Sequence, residues 1–151
     1  MVRHLTVAVL ILVIAATGAL SAWYFFLQPT NSTRIGFAGV TLTVELAKTS
    51  AEQERGLSYR DSMPLDHGML FVFDKEATWG FWMHEMRFPL DIIWFNSQRQ
   101  VVHIEQNLKP CTPQNCPVFS PSTNAMYVLE VNAGFVESHN VTLGQTFTFL
   151  S

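Results

Sequence analysis

The densest run of reactive side-chain types is Phe81-Trp82-Met83-His84-Glu85-Met86-Arg87. Thioethers and imidazole are soft to borderline ligands that suit copper(I), and a tryptophan face can cap such a site. Met83, His84 and Met86 are therefore candidate soft-metal ligands, with Met63 and Met69 as possible neighbours. Strand alternation would put Trp82, His84 and Met86 on one face and Met83 on the other, which splits the set. The plainer alternative has Trp82 and Met83 filling the core while His84-Glu85 forms a solvated turn.

A second set consists of ionisable groups isolated in apolar sequence: Glu45, Arg60, Asp91 and Glu130. An unpaired buried charge costs several kcal/mol, so each must be paired, face a cleft or point to water. Arg60 is a natural partner, because guanidinium binds carboxylate in a two-pronged way. One reading is a cleft that holds Glu45, Arg60, Met69, Trp82, Asp91 and Glu130 and takes a small polar or glycan-like ligand. The other is a structural salt bridge that pins the fold. Asp91 and Glu130, with Arg60, also offer a carboxylate pair for glycosidase-type acid–base work, if their separation suits it.

Other chemistries find little support. Ser58, Ser120 and Ser122 lack a Gly-x-Ser-x-Gly elbow, and no Gly-rich phosphate loop is present. The five histidines show no metal-helix spacing. Cys111 and Cys116, in Lys-Pro-Cys-Thr-Pro-Gln-Asn-Cys-Pro, are expected to form a disulfide in an oxidising compartment. Asn31 and Asn140 head two glycosylation sequons.

The elements that must position these residues are mostly strands. Val40, Leu42, Val44 and Leu46 alternate onto one face. Ser50, with Gln53 in the capping-box place, predicts a short helix that Gly56 ends. Gly68–Phe73, Phe81–Met83 and Leu90–Phe95 read as buried strands. Asn96–Arg99 reads as a turn into a strand at Val101–Ile104. Ala125–Val131 and Gly144–Leu150 supply two more strands, with a break or short helix at Asn132–Phe135. The pattern predicts a mainly β domain, a small compact barrel or sandwich with about one short helix.

Ahead of this domain, no charged residue occurs from Leu5 to Leu27. A bilayer core needs about 20 apolar residues, so residues 5–27 are expected to be a single transmembrane signal anchor. Ala19-Leu20-Ser21-Ala22 leaves a cleaved signal peptide as the alternative. The aromatic run Trp23–Phe26 suits a headgroup layer and favours the anchor. Arg3 lies before the span and no basic residue follows it until Arg34. The positive-inside rule then places residues 1–4 in the cytoplasm and the domain outside. Residues 28–37 read as a linker and 38–151 as the domain. Apart from Arg3, eight Lys and Arg face twelve Asp and Glu, with no basic cluster. Nucleic acid is not an expected partner.

A family resemblance rests on an ordered set of motifs. These are Val44–Ala47, Glu54–Arg60, Gly68–Phe73, Phe81–Met83, Phe88–Trp94, Cys116-Pro117 and Tyr127–Gly134. Together they resemble the DUF192 family, also called UPF0127, over residues 38–150. The resemblance implies a small β-barrel-like fold, often behind a signal peptide or anchor, and no established activity. It also leads one to expect Lys or Arg after Trp82-Met83, where this chain has His84.

Three functions follow as expectations. The first is a membrane-anchored, non-enzymatic binding or accessory module, for a small ligand or as a subunit of a larger membrane complex. The second is a cell-envelope enzyme acting on glycan through Asp91, Glu130 and Arg60. The third is copper handling through Met83, His84 and Met86. No other cofactor is expected.

Overall fold

The computed structural model describes residues 31–151. The expected cytoplasmic end (1–4), the span (5–27) and the first three residues of the linker (28–30) lie outside the described residues. Among the described residues no helix is long and apolar enough to cross a membrane.

Seven strands form one sheet: β1 (Ser32–Phe37), β2 (Val40–Ala47), β3 (His67–Ala77), β4 (Leu90–Phe95), β5 (Val101–Leu108), β6 (Ala125–Asn132) and β7 (Thr148–Leu150). Their spatial order is β5-β4-β6-β3-β2-β1-β7. Two short helices accompany them, α1 (Ser50–Arg55) and α2 (Phe135–Ser138), one more than expected. β1 starts inside the segment read as linker, because Ile35 and Phe37 face the core. The β1–β2 hairpin turns on Ala38 and Gly39, both at positive φ (51° and 80°). Two-residue hairpins use this geometry because it matches the strand twist.

The sheet does not close into a barrel, nor does it split into a sandwich. Its edges meet only beside the strands, where Val101 N donates to Gln145 O (2.8 Å) and Gly144 N to Val101 O (2.9 Å). Residues 144–147 are used in reaching that edge, which leaves β7 three residues to pair with β1. Phe81–Met83 is also no strand. Phe81 makes one antiparallel bridge with Phe119, and the segment covers the sheet instead of joining it.

Both faces of the sheet are packed. Leu42, Val44, Leu70, Ile93, Phe95 and Val131 form one core, closed by α2 and Phe147. The expected stripe on β2 lies on this face. The opposite face carries Met69, Phe71, Phe73, Ile92, Trp94 and Val128. Irregular segments cover it: the chain after α1, the stretch from Trp79 to Phe88, and the loop holding Cys111. α1 is capped one residue earlier than the spacing predicts. Thr49 Oγ1 accepts from Glu52 N (3.3 Å) and the Glu52 carboxylate accepts from Thr49 N (2.8 Å). Gly56 ends it at φ 49°, as expected.

Candidate functional site

The site lies on the second face, beneath those covering segments. Strand register lays out one row of side chains, because directly paired residues point to the same side of a sheet. Glu45 on β2 pairs with Met69 on β3, Met69 with Glu130 on β6, and Glu130 with Ile92 on β4. Glu130 is thus a carboxyl set among apolar neighbours.

Above Glu130 is a cavity of about 370 Å³. Phe71, Phe73 and Glu130 come to it from the sheet. Residues 53–58, the end of α1 and the turn after it, form one wall. Trp79–Trp82 and Met86 form the other. The rings brace one another: Phe73 stacks on Trp79 at 4.0 Å, and Phe71 meets Phe81 edge-on at 4.7 Å. Gln53 ties the helix wall to the sheet by donating to Val72 O (3.0 Å). The Trp79 wall is held by Trp94 Nε1 donating to Trp79 O (2.9 Å). Gly56 turns the helix wall over the floor, next to Phe71 and Glu130, at φ 49°, a backbone conformation that residues with a Cβ rarely adopt.

Glu130 is 5% exposed, and its Oε2 has no hydrogen-bond partner. Burial pushes its carboxyl up to about 8, against a smaller opposing pull from the Arg60 guanidinium. An acid so placed is mainly protonated at neutral pH. Arg60 is committed elsewhere, holding Glu45 through two bonds of 2.5 and 2.7 Å. This pairing lowers the Glu45 carboxyl and raises the Arg60 guanidinium.

Of the six residues read as a ligand cleft, Trp82 and Glu130 line the cavity. Glu45 and Arg60 form the adjoining ion pair, and Met69 sits between Glu45 and Glu130 in the row. Asp91 is elsewhere. It pairs with Val131, one residue out of step with the Ile92–Glu130 pair, so it projects from the opposite face. There it is fully buried and accepts from Asn107 N (2.9 Å) and Val136 N (2.8 Å). The second bond holds the start of α2. Asp91 is a structural acceptor, and the sheet separates it from Glu130, so the expected two-carboxylate glycosidase pair does not form.

Met83 and Met86 are both buried in the second-face core, whereas His84 is partly exposed, with Nδ1 3.9 Å from Glu85 Oε2. Among the described residues no group of three or more His, Cys, Asp or Glu could hold a metal. Cys111 and Cys116 are joined in a disulfide. Its loop and the residues that follow support the wall segment, since Cys111 N donates to Met83 O (3.3 Å) and Phe119 N, beyond the loop, to Phe81 O (2.8 Å). Asn31 and Asn140 are both exposed. Sequence reasoning missed Gln53, Phe73 and Trp79 as cavity residues. The one available signal was the crowding of aromatics from Phe71 to Trp82, more than a single strand can bury on one side.

The fold and cavity define a single-sheet β domain with an aromatic, acid-floored pocket on one face. The chain belongs to the DUF192 family, described as "Uncharacterized ACR", whose profile matches residues 33–149. It is 28% identical over 108 residues to a UPF0127 protein of Thermococcus gammatolerans, a match covering 70% of this chain. The chain spans 65% of that relative's length. Two solved structures are similar. One, from Sinorhizobium meliloti 1021, is provisionally described as a transcription regulator: 33% identity, TM-score 0.70, covering 78% of this chain and 92% of that one. The other is a protein of unknown function from Novosphingobium aromaticivorans DSM 12444: 29% identity, TM-score 0.69, covering 78% and 83%.

Proposed function

We propose that this chain is an extracytoplasmic small-ligand-binding module, tethered to a membrane by residues 5–27, whose ligand sits over Glu130. The observation that carries the reading is a buried carboxyl oxygen without a partner at the floor of a ligand-sized cavity. Small-molecule sites are typically about 300–1,000 Å³, mostly apolar, with few converging polar groups. A structural carboxyl has its oxygens satisfied, as Asp91 does. The free Glu130 oxygen is stable in that position only at a cost, which a ligand would relieve. The outward placement is supported by the apolar run and by a disulfide, which belongs to oxidising compartments.

The test uses the full chain in maltoside micelles with 13C-methyl-labelled methionine, screened against a panel of small polar, aromatic and cationic fragments. Ligands should shift the Met86 methyl, which lines the cavity, and leave Met63 unmoved. A panel that shifts no cavity methyl would refute the binding reading.

A further inference from the structure

The cavity's polar inventory narrows what it can hold. Gln53 Nε2 is spent on the carbonyls of Ala47 and Val72, Ser58 Oγ on that of His84, and Trp79 Nε1 on that of Lys75. Beyond these, the walls offer a polyhydroxylated ligand the exposed Arg55 guanidinium as a donor. The uncommitted buried polar group is the Glu130 carboxyl. Around it stand five aromatic side chains, Phe71, Phe73, Trp79, Phe81 and Trp82. Ring faces attract cations through their quadrupoles, and aromatic cages with an acid are suited to alkylated ammonium groups. The charge balance agrees. Glu54 and Arg55 at the wall offset each other, and Arg60 is held by Glu45, so the ionised floor is a net negative site.

We infer that the pocket is an aromatic cage for an alkylammonium cation, with Glu130 as its counter-ion and Trp82 as the exposed ring at its mouth. This deepens the binding reading above and rests on it. Trp82 is 52% exposed, which is unusual for so large a ring and fits a side chain that closes over a bound group.

Binding then exchanges one cation for one proton. In the empty site Glu130 keeps its proton up to about pH 8, because burial opposes its charge. An ammonium ligand displaces that proton to solvent, so affinity rises with pH until Glu130 is ionised without help. A neutral ligand that accepts a hydrogen bond from protonated Glu130 would show the opposite trend. The charged groups around the carboxyl are Arg60, paired with Glu45, and Glu54 and Arg55 at the wall.

The experiment is calorimetric titration of the full chain in maltoside micelles with choline and with 3,3-dimethyl-1-butanol, its uncharged isostere. Choline should bind about tenfold or more tightly than the isostere, and its affinity should climb about fiftyfold between roughly pH 6 and pH 8. Glu130→Gln should remove that pH dependence and most of the preference. Trp82→Ala, at a half-exposed position outside the buried core, should weaken choline by several-fold. The cage is overturned if the isostere binds as well as choline, if choline binding weakens as pH rises, if both variants bind like the parent, or if neither probe binds. The broader binding reading survives any of these provided another fragment shifts the Met86 methyl.

Discussion

Two buried carboxyls show how environment assigns a role. Asp91 has both oxygens satisfied by backbone N–H groups and is part of the fold. Asp91→Ala would leave two amides without acceptors and should cost about 2–4 kcal/mol in urea unfolding. The Met86 response to ligand should survive wherever the variant folds. Glu130 behaves oppositely. Its folded-state value of about 8 lies above the unfolded value of 4.5. Between those limits the folded chain binds more protons than the unfolded chain, so stability from this group falls as pH rises from about 4.5 to 8. Glu130→Gln should therefore be more stable than the parent at about pH 8, by roughly 1–3 kcal/mol, with little difference near pH 5. Paired denaturation curves check this. Glu45, lowered by Arg60, acts in another window: its contribution is present above about pH 4.5 and fades as acid protonates it. Arg60→Ala should cost only about 1 kcal/mol near neutral pH, because the pair is partly open to solvent.

At the level of elements, legibility followed periodicity. The β2 stripe, the turn at Asn96–Arg99 and the helix stop at Gly56 were readable, because each depends on local spacing or a special residue. Phe81–Met83 was misread, because a short apolar run looks the same whether it joins a sheet or lies across it. The charged residues Asp91 and Glu130 stood out in sequence, but their faces did not. The pairing of Ile92 with Glu130 separates them, and a one-residue change of register would have brought them together. Arg60 was read as the guanidinium partner within this set, and it pairs with Glu45, which the parallel β2–β3 contact brings near the row. The Cys111–Cys116 loop reaches the segment behind the cavity wall through Met83. Replacing both cysteines by serine should lower stability by about 2 kcal/mol and speed amide exchange over 81–86, measured by hydrogen exchange.

For the whole molecule, the sheet nearly rolls shut on one face and leaves the other to be roofed by loops. A pocket under loops, on a rigid sheet, is the common division between scaffold and binding surface. The proposed tether at residues 5–27 would hold that surface outside a membrane. Proteolysis of intact spheroplasts should then remove the domain while sparing the N-terminus; protection of the domain until lysis would reverse the proposed orientation.

The claim on which binding rests is that Glu130 is a buried, uncommitted acid at the pocket floor. A 13C-carboxyl NMR titration, with the resonance assigned by Glu130→Gln, tests it directly. A midpoint near 8 is expected for the free chain, displaced when a ligand occupies the pocket. A midpoint in the usual carboxylate range, about 4–5, or one that ligand leaves unmoved, would contradict it.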